Sequence, residues 1–192
     1  VLISLVGLPG GGKSTVGRQL ARRLRVDFID SDSVIEQRLG MTIRAVFERD
    51  GEARFRAVES EVIGELASRF RGVLATGGGC VLAAGNRQAL REHSTVVYLK
   101  ATPRELVRRL RSDGRRPLLQ GHDPLDRLRQ LHAQRDPLYR ETAHFVVETG
   151  RPSVGALVNI VLMQLELAGA IDAYRVPSPV DRLASSDRAP GP

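Results

Sequence analysis

The sequence predicts an α/β fold with a parallel sheet, and three observations carry that prediction. Short β-branched runs alternate with longer stretches of helical periodicity. A glycine-rich segment, Gly7-Leu8-Pro9-Gly10-Gly11-Gly12-Lys13-Ser14, joins the first such run to the first helical stretch. The length of 192 residues suits one domain with one core.

The elements follow in order. Leu2–Val6 is an apolar run and opens the series as a strand, and Lys13–Leu24 continues from the glycines as a helix. Val26–Ile29 is the second strand, with Ser33–Leu39 as the helix after it. Glu52–Arg69 is a long amphipathic helix leading to the apolar strand Val73–Ala75, which ends in Thr76 and three glycines, Gly77, Gly78 and Gly79. Asn86–Arg91 is a short helix, Val96–Leu99 a fourth strand, and Arg104–Arg111 and Leu125–Tyr139 two further helices. Phe145–Val147 is the fifth strand, and Val154–Leu167 is a last helix with Ser153 as its cap. Right-handed crossovers would put helices on both faces of the sheet. Ser112–Pro124, SDGRRPLLQGHDP, is rich in Gly, Pro and charge and is expected to be a loop. From about Ala173 the chain has no periodicity and holds Pro177, Pro179, Pro190 and Pro192, which predicts a disordered tail. The expected organisation is therefore one domain over residues 1–172 and a tail over 173–192.

Composition excludes several classes. The hydrophobic fraction of 42% and charged fraction of 27% are ordinary for a globular chain. No apolar run reaches the ~18 residues of a membrane span. Val1–Val6 has no basic segment before it and no small-residue cleavage site after it, so no signal peptide is expected. Cys80 is a single cysteine, and the four histidines lack metal-ligand spacing. These features together lead us to expect a cytoplasmic location. The net charge is +7, and only Lys13 and Lys100 are lysines among 29 basic residues. Such a surface can attract anions, although Arg replacing Lys across solvated faces explains most positions. Nucleic acid is not an expected partner, because aromatics make up 4% with no Trp, too few for base-stacking platforms.

The glycine-rich segment fits G-x-x-x-x-G-K-[ST], with Thr15 following. Its glycines let successive N–H groups turn into one concavity that cradles phosphate oxygens. The helix behind it presents unpaired N–H groups and a partial positive charge to the same anion. Lys13 supplies a cation for the β- and γ-phosphates, and Ser14 offers a hydroxyl to Mg²⁺. Its place between a strand and a helix is the context this chemistry requires, and one of only two lysines falls at the motif position.

Further along, Phe28-Ile29-Asp30-Ser31-Asp32 puts two carboxylates at the carboxyl end of the second strand, where ligands of open α/β sheets bind. Asp30 and Asp32 would share a face if the strand ran on that far. One can hold Mg²⁺, usually through water, and the other can bond an acceptor hydroxyl and take its proton. Alternatively, Ser31 or Asp32 caps the next helix. Three glycines after a strand suggest backbone open to a ligand. Arg56 and Arg135 could each grip a planar carboxylate, but composition does not select them from 27 arginines.

Six segments in order, GLPGGGKSTVGRQLA, FIDSDSVIEQRLG, IRAVFERDGEARFRAVE, VLATGGGCV, RRPLL and RDPLYRETA, resemble shikimate kinases from Leu2 to about Leu167. The resemblance implies a P-loop, nucleoside-monophosphate-kinase-like fold with a five-stranded parallel core. Residues about 31–60 would bind substrate and a lid would span about 112–124. It implies ATP- and Mg²⁺-dependent phosphorylation of the 3-hydroxyl of shikimate by a monomeric enzyme. By the same resemblance, Gly10, Gly11, Gly12, Lys13, Ser14 and Thr15 would bind ATP, with Ser14 and Asp30 on the metal. Asp32 would bond the ring hydroxyls and act as base. Arg56 and Arg135 would clamp the shikimate carboxylate beside Gly77, Gly78 and Gly79, with the Gly78 N–H on a ring oxygen. Arg116 would contact ATP phosphates from the lid, with Arg115 as its neighbouring competitor, and Arg109 and Pro152 would sandwich adenine. The competing readings are a gluconate kinase, a nucleoside monophosphate kinase, a nucleic-acid-linked NTPase and a silent ATP-binding protein.

Overall fold

Alternation along the strands decides the layers, because successive side chains of a strand point to opposite faces. In the first strand, Leu2 and Val6 join one hydrophobic cluster while Ile3 and Leu5 join another. The computed structural model of the chain describes residues 1–113 and 123–172. Its strands are β1 (Leu2–Val6), β2 (Phe28–Asp30), β3 (Gly72–Ala75), β4 (Thr95–Lys100) and β5 (Phe145–Glu148). They form one parallel sheet in the order β2-β3-β1-β4-β5.

The helices are α1 (Lys13–Leu24), α2 (Ser31–Leu39), α3 (Ile43–Arg69), α4 (Ala84–His93), α5 (Pro103–Asp113), α6 (Pro124–Thr142) and α7 (Val154–Leu167). Val16 and Leu20 of α1 and Leu157, Val161 and Leu165 of α7 pack on the Ile3, Leu5, Val97 and Leu99 face. Ile63 of α3, Leu90 of α4, Leu106 of α5 and Leu128 and Tyr139 of α6 cover the other face. A separate cluster of Ile35, Val46, Phe55, Val58 and Val62 holds α2 against α3. Among the described residues, no helix is long and apolar enough to cross a membrane.

Two boundaries differ from the sequence reading in ways that matter to the site. The second strand ends at Asp30, and the helix begins at Ser31 rather than Ser33. Asp30 and Asp32 therefore do not share a strand face. Asp30 is itself the cap, its Oδ1 accepting the Asp32 N–H at 3.0 Å. Secondly, helix precedes Glu52: it starts at Ile43, capped by Thr42, and is broken at Gly51, whose φ of 82° and ψ of 171° are not helical. The last helix starts as its sequence predicts, with Ser153 Oγ accepting the Ala156 N–H at 3.2 Å.

This strand order sends the chain from β1 to β2 on one side and from β3 to β4 on the other. The carboxyl ends of β1, β2 and β3 thus open onto one crevice at the switch of direction, where such sheets bind ligands. Of the expected Ser112–Pro124 loop, Ser112 and Asp113 belong to α5 and Pro124 opens α6; residues 114–122, with Arg115 and Arg116, lie outside the described residues, as does the 173–192 tail.

Candidate functional site

The loop after β1 turns through left-handed backbone at Gly10 and Gly12, with φ of 78° and 87°. It delivers the chain to α1, whose start has no side-chain cap and no acidic residue in its first turn. The unpaired N–H groups and the positive end of the helix dipole are left for an anion. Lys13 is buried and donates from Nζ to Gly7 O at 2.7 Å and Leu8 O at 2.9 Å, so its ammonium sits within the loop.

Beside it, Ser14 Oγ donates to Asp30 Oδ2 at 2.7 Å. A hydroxyl and a carboxylate oxygen side by side suit Mg²⁺, a hard cation that keeps several waters and needs few protein ligands. No cluster of three or more His, Cys, Asp or Glu offers a metal a fuller cage among the described residues.

Asp32 is the second residue of α2, in its first turn. Burial, then the neighbouring Asp30 and Glu59 carboxylates, push its pKa from 3.8 up to about 6, against the pull of Lys13. Ser31, fully buried, accepts the Gly77 N–H on its Oγ at 3.1 Å and so ties α2 to the triple glycine.

Each of the three glycines is closed in by a different neighbour. A Cβ on Gly77 would stand 2.6 Å from Asp32 Oδ1 and 3.0 Å from Glu59 Oε1. One on Gly78 would meet the Pro9 ring at 2.6 Å, and one on Gly79 would overlap the Arg56 guanidinium. Thus Asp32, Glu59, Arg56 and the phosphate loop converge on one short stretch of bare backbone. The Gly78 and Gly79 N–H groups have no acceptor among the described residues.

Glu59, 1% exposed, accepts from Arg56 Nη1 on Oε2 at 2.7 Å, while its Oε1 has no hydrogen-bond partner among the described residues. Burial raises its pKa, opposed by Arg56 and by Arg135 from α6. Arg56 also reaches Glu52 at 3.4 Å and lies over the Phe55 ring. Arg135 has a buried Nε without an acceptor among the described residues. The buried Glu59 carboxylate is thus bonded by Arg56 and also feels the charge of Arg135.

On the other side of the phosphate loop, Arg109 Nη2 donates to Thr149 O at 2.9 Å and to Thr149 Oγ1 at 3.3 Å. Its Nη1 lies 3.9 Å from where a Cβ of Gly12 would stand. Arg109 thus bridges α5 and the segment carrying Pro152, next to the loop. α5 is fixed there by a capping box: Thr102 N–H donates to Glu105 Oε2 at 2.9 Å and Glu105 N–H to Thr102 Oγ1 at 3.2 Å. Thr15 is exposed on the first turn of α1. Cys80 is fully buried, and burial pushes its thiol up to about 12, so it is packing rather than a nucleophile.

The structure thus brings together Gly10–Thr15, Asp30, Asp32, Arg56, Gly77–Gly79 and Arg135, with Arg109 at the flank; Arg116 lies outside the described residues. Sequence reasoning missed Glu59 and Tyr139, whose phenol donates to Gly78 O, and read Ser31 only as a candidate cap. Glu59 had a signal, since Arg56 and Glu59 are three apart on a helix and so are neighbours on its surface. Tyr139 had none beyond lying one turn after Arg135.

A family model described as shikimate kinase matches residues 9–166. A shikimate kinase of Paracidovorax citrulli is 61% identical over 180 residues, covering 92% of this chain and 96% of its own. The structure of a shikimate kinase from Acinetobacter baumannii in complex with shikimate is 45% identical with a TM-score of 0.81, covering 89% of this chain and 95% of that one. A gluconokinase from Sinorhizobium meliloti, 22% identical with a TM-score of 0.55 over 86% of this chain and 91% of its own, shares the fold alone.

Proposed function

The chain belongs to the shikimate kinase family, and from that premise we propose how its own residues carry the reaction. It transfers the γ-phosphoryl group of ATP to the 3-hydroxyl of shikimate, giving shikimate 3-phosphate and ADP on the route to chorismate and the aromatic amino acids. The observation that carries the residue assignments is the convergence of Asp32, Arg56 and Glu59 on Gly77–Gly79 beside the phosphate loop.

Gly10–Thr15 and the N-terminus of α1 bind the phosphates of ATP, and Lys13 moves from its loop carbonyls to the transferring group. Arg109 and Pro152 flank the adenine. Ser14 and Asp30 hold Mg²⁺, which when bound offsets negative charge on the phosphates. Phosphoryl transfer is mostly positioning and charge stabilisation, so the acceptor side must fix one hydroxyl and exclude the others. Arg56 and Arg135 grip the shikimate carboxylate, and Glu59 holds the Arg56 fork in place. The Gly78 N–H and Asp32 bond ring oxygens. Asp32 takes the 3-hydroxyl proton as that oxygen bonds to the γ-phosphorus and the bond to the β–γ bridging oxygen breaks, releasing ADP. Arg116, outside the described residues, is assigned to the phosphate charge during transfer. We read the working form as a cytoplasmic monomer.

The test is ADP release from Mg-ATP in a coupled assay, with shikimate, gluconate, AMP and single-stranded DNA added separately. Turnover with shikimate alone is expected. Turnover with gluconate or AMP and none with shikimate would keep the phosphate-loop assignment and overturn the acceptor.

A further inference from the structure

Resting on that reading of the acceptor site, we propose that Tyr139 is a positioning residue for acceptor recognition, holding the Gly78–Gly79 peptide so that its free N–H edge faces the acceptor. The Tyr139 phenol is fully buried and donates to Gly78 O in a short hydrogen bond. A trans peptide carries its C=O and N–H on opposite edges. Fixing the Gly78 carbonyl toward Tyr139 therefore turns the Gly79 N–H away from it. Gly79 is also the residue whose missing Cβ would overlap the Arg56 guanidinium. Without the phenol, a glycine-only turn is free to rotate that peptide, since glycine puts little steric limit on its dihedrals.

The phenol is itself held from two directions. Its ring packs against Tyr98 of β4 with centroids 4.9 Å apart. Tyr98 Oη donates to Asp136 Oδ1 at 2.9 Å, and Asp136 Oδ2 accepts from Arg140 Nε at 2.9 Å. Asp136 follows Arg135 directly, and Tyr139 is one turn further along α6, on the Arg135 side. The Arg135 charge acts on the Tyr139 phenol as well as on Glu59. Tyr139 thus joins α6 to the glycine turn through its hydroxyl and to the sheet through its ring. Burial holds the pKa of that hydroxyl above the ordinary phenol range, so it stays a donor across the working pH range.

Tyr139→Phe keeps the ring and its packing and removes only the donor. Steady-state kinetics with Mg-ATP and shikimate, calorimetric titration with each of shikimate and ADP, and a thermal melt are run on both proteins. Losing one hydrogen bond and leaving its carbonyl unpaired should raise the shikimate KM and Kd by about fivefold to tenfold. The KM for ATP and the Kd for ADP should move less than about twofold, since among the described residues the Tyr139 hydroxyl donates to Gly78 O and to no residue of Gly10–Thr15. Unchanged shikimate KM and Kd would overturn the proposal. An equal loss of shikimate and ADP affinity with a lowered Tm would also overturn it, because that is the pattern of a merely structural role. Should Tyr139→Phe not fold, Tyr98→Phe, which loosens Asp136 and α6 from β4, must show the same shikimate-selective rise, and its absence would overturn the proposal. A wild-type chain that ignores shikimate would instead contradict the acceptor reading itself, so the two failures are told apart.

Discussion

Asp32 does its work in an environment that opposes its charge. Its pKa rises from 3.8 to about 6 on folding, chiefly through burial, with Asp30 and Glu59 adding repulsion. The folded protein therefore binds this proton more tightly than the unfolded chain does. Between pH 3.8 and 6 this contribution to stability falls as pH rises, and above 6 the ionised carboxylate destabilises the fold by a constant amount. Asp32→Asn should accordingly gain stability at pH 7.5, on the order of 1–3 kcal/mol by the size of the shift, seen as a raised Tm. The same variant should lose turnover on the order of 10²–10⁴-fold while still binding ADP. In the wild type, kcat/KM for shikimate should climb with pH to a plateau through an apparent pKa of about 6, and the variant's residual rate should lack that limb. Undiminished phosphorylation by the variant would remove Asp32 from the chemistry. At this scale Asp32, Arg56 and Arg135 were legible because they sit in recognisable motifs. Glu59 was passed over, because its spacing of three from Arg56 singles out one acid among 22 only once α3 packs on the turn after β3 and buries it.

Among the elements, the triple glycine is the part whose geometry decides most. Gly79 has φ of −96° and ψ of 1°, a conformation alanine can adopt, so its small size is needed for space and not for its dihedrals. The group it makes room for is the Arg56 guanidinium, the far end of a flexible side chain. Gly79→Ala should therefore fold, with its Tm near that of the wild type, yet push Arg56 aside and raise the shikimate KM by about tenfold, the scale of one charged hydrogen bond. A wild-type KM with a lowered Tm would show that the glycine serves the backbone instead. The ends of elements were the least legible part. Asp30 closing its strand and capping α2 could not be told from a strand running on to Asp32, since the choice rests on where the Ser14 hydroxyl and the Asp32 N–H lie. The break at Gly51 hid the helix before it, although Ile43, Val46 and Phe47 carry helical spacing.

Over the whole molecule, the sheet order needs no more than the alternation of strand and helix and the right-handed crossover. That is why the five strands and the helices between them were readable from periodicity and punctuation. Under the proposed assignments two tasks fall to different elements: the loop after β1 and α1 would meet the nucleotide, while α2, α3 and the turn after β3 would meet the acceptor, with α6 supplying Arg135. The small Ile35–Phe55–Val62 core lets the acceptor segment hold its own shape beside the sheet. What sequence could not supply was the pairing across that distance, in which Arg56 and Arg135 act on one buried Glu59.

The central claim is that this shared carboxylate and its two guanidinium groups form the acceptor clamp. The most direct test is an equilibrium titration of shikimate against wild type and Arg56→Lys, with ADP affinity measured in parallel. A lysine keeps the charge but cannot reproduce the fork. The account predicts a shikimate Kd raised by about tenfold or more, with ADP binding unaltered. Equal shikimate affinity in the two proteins would contradict it.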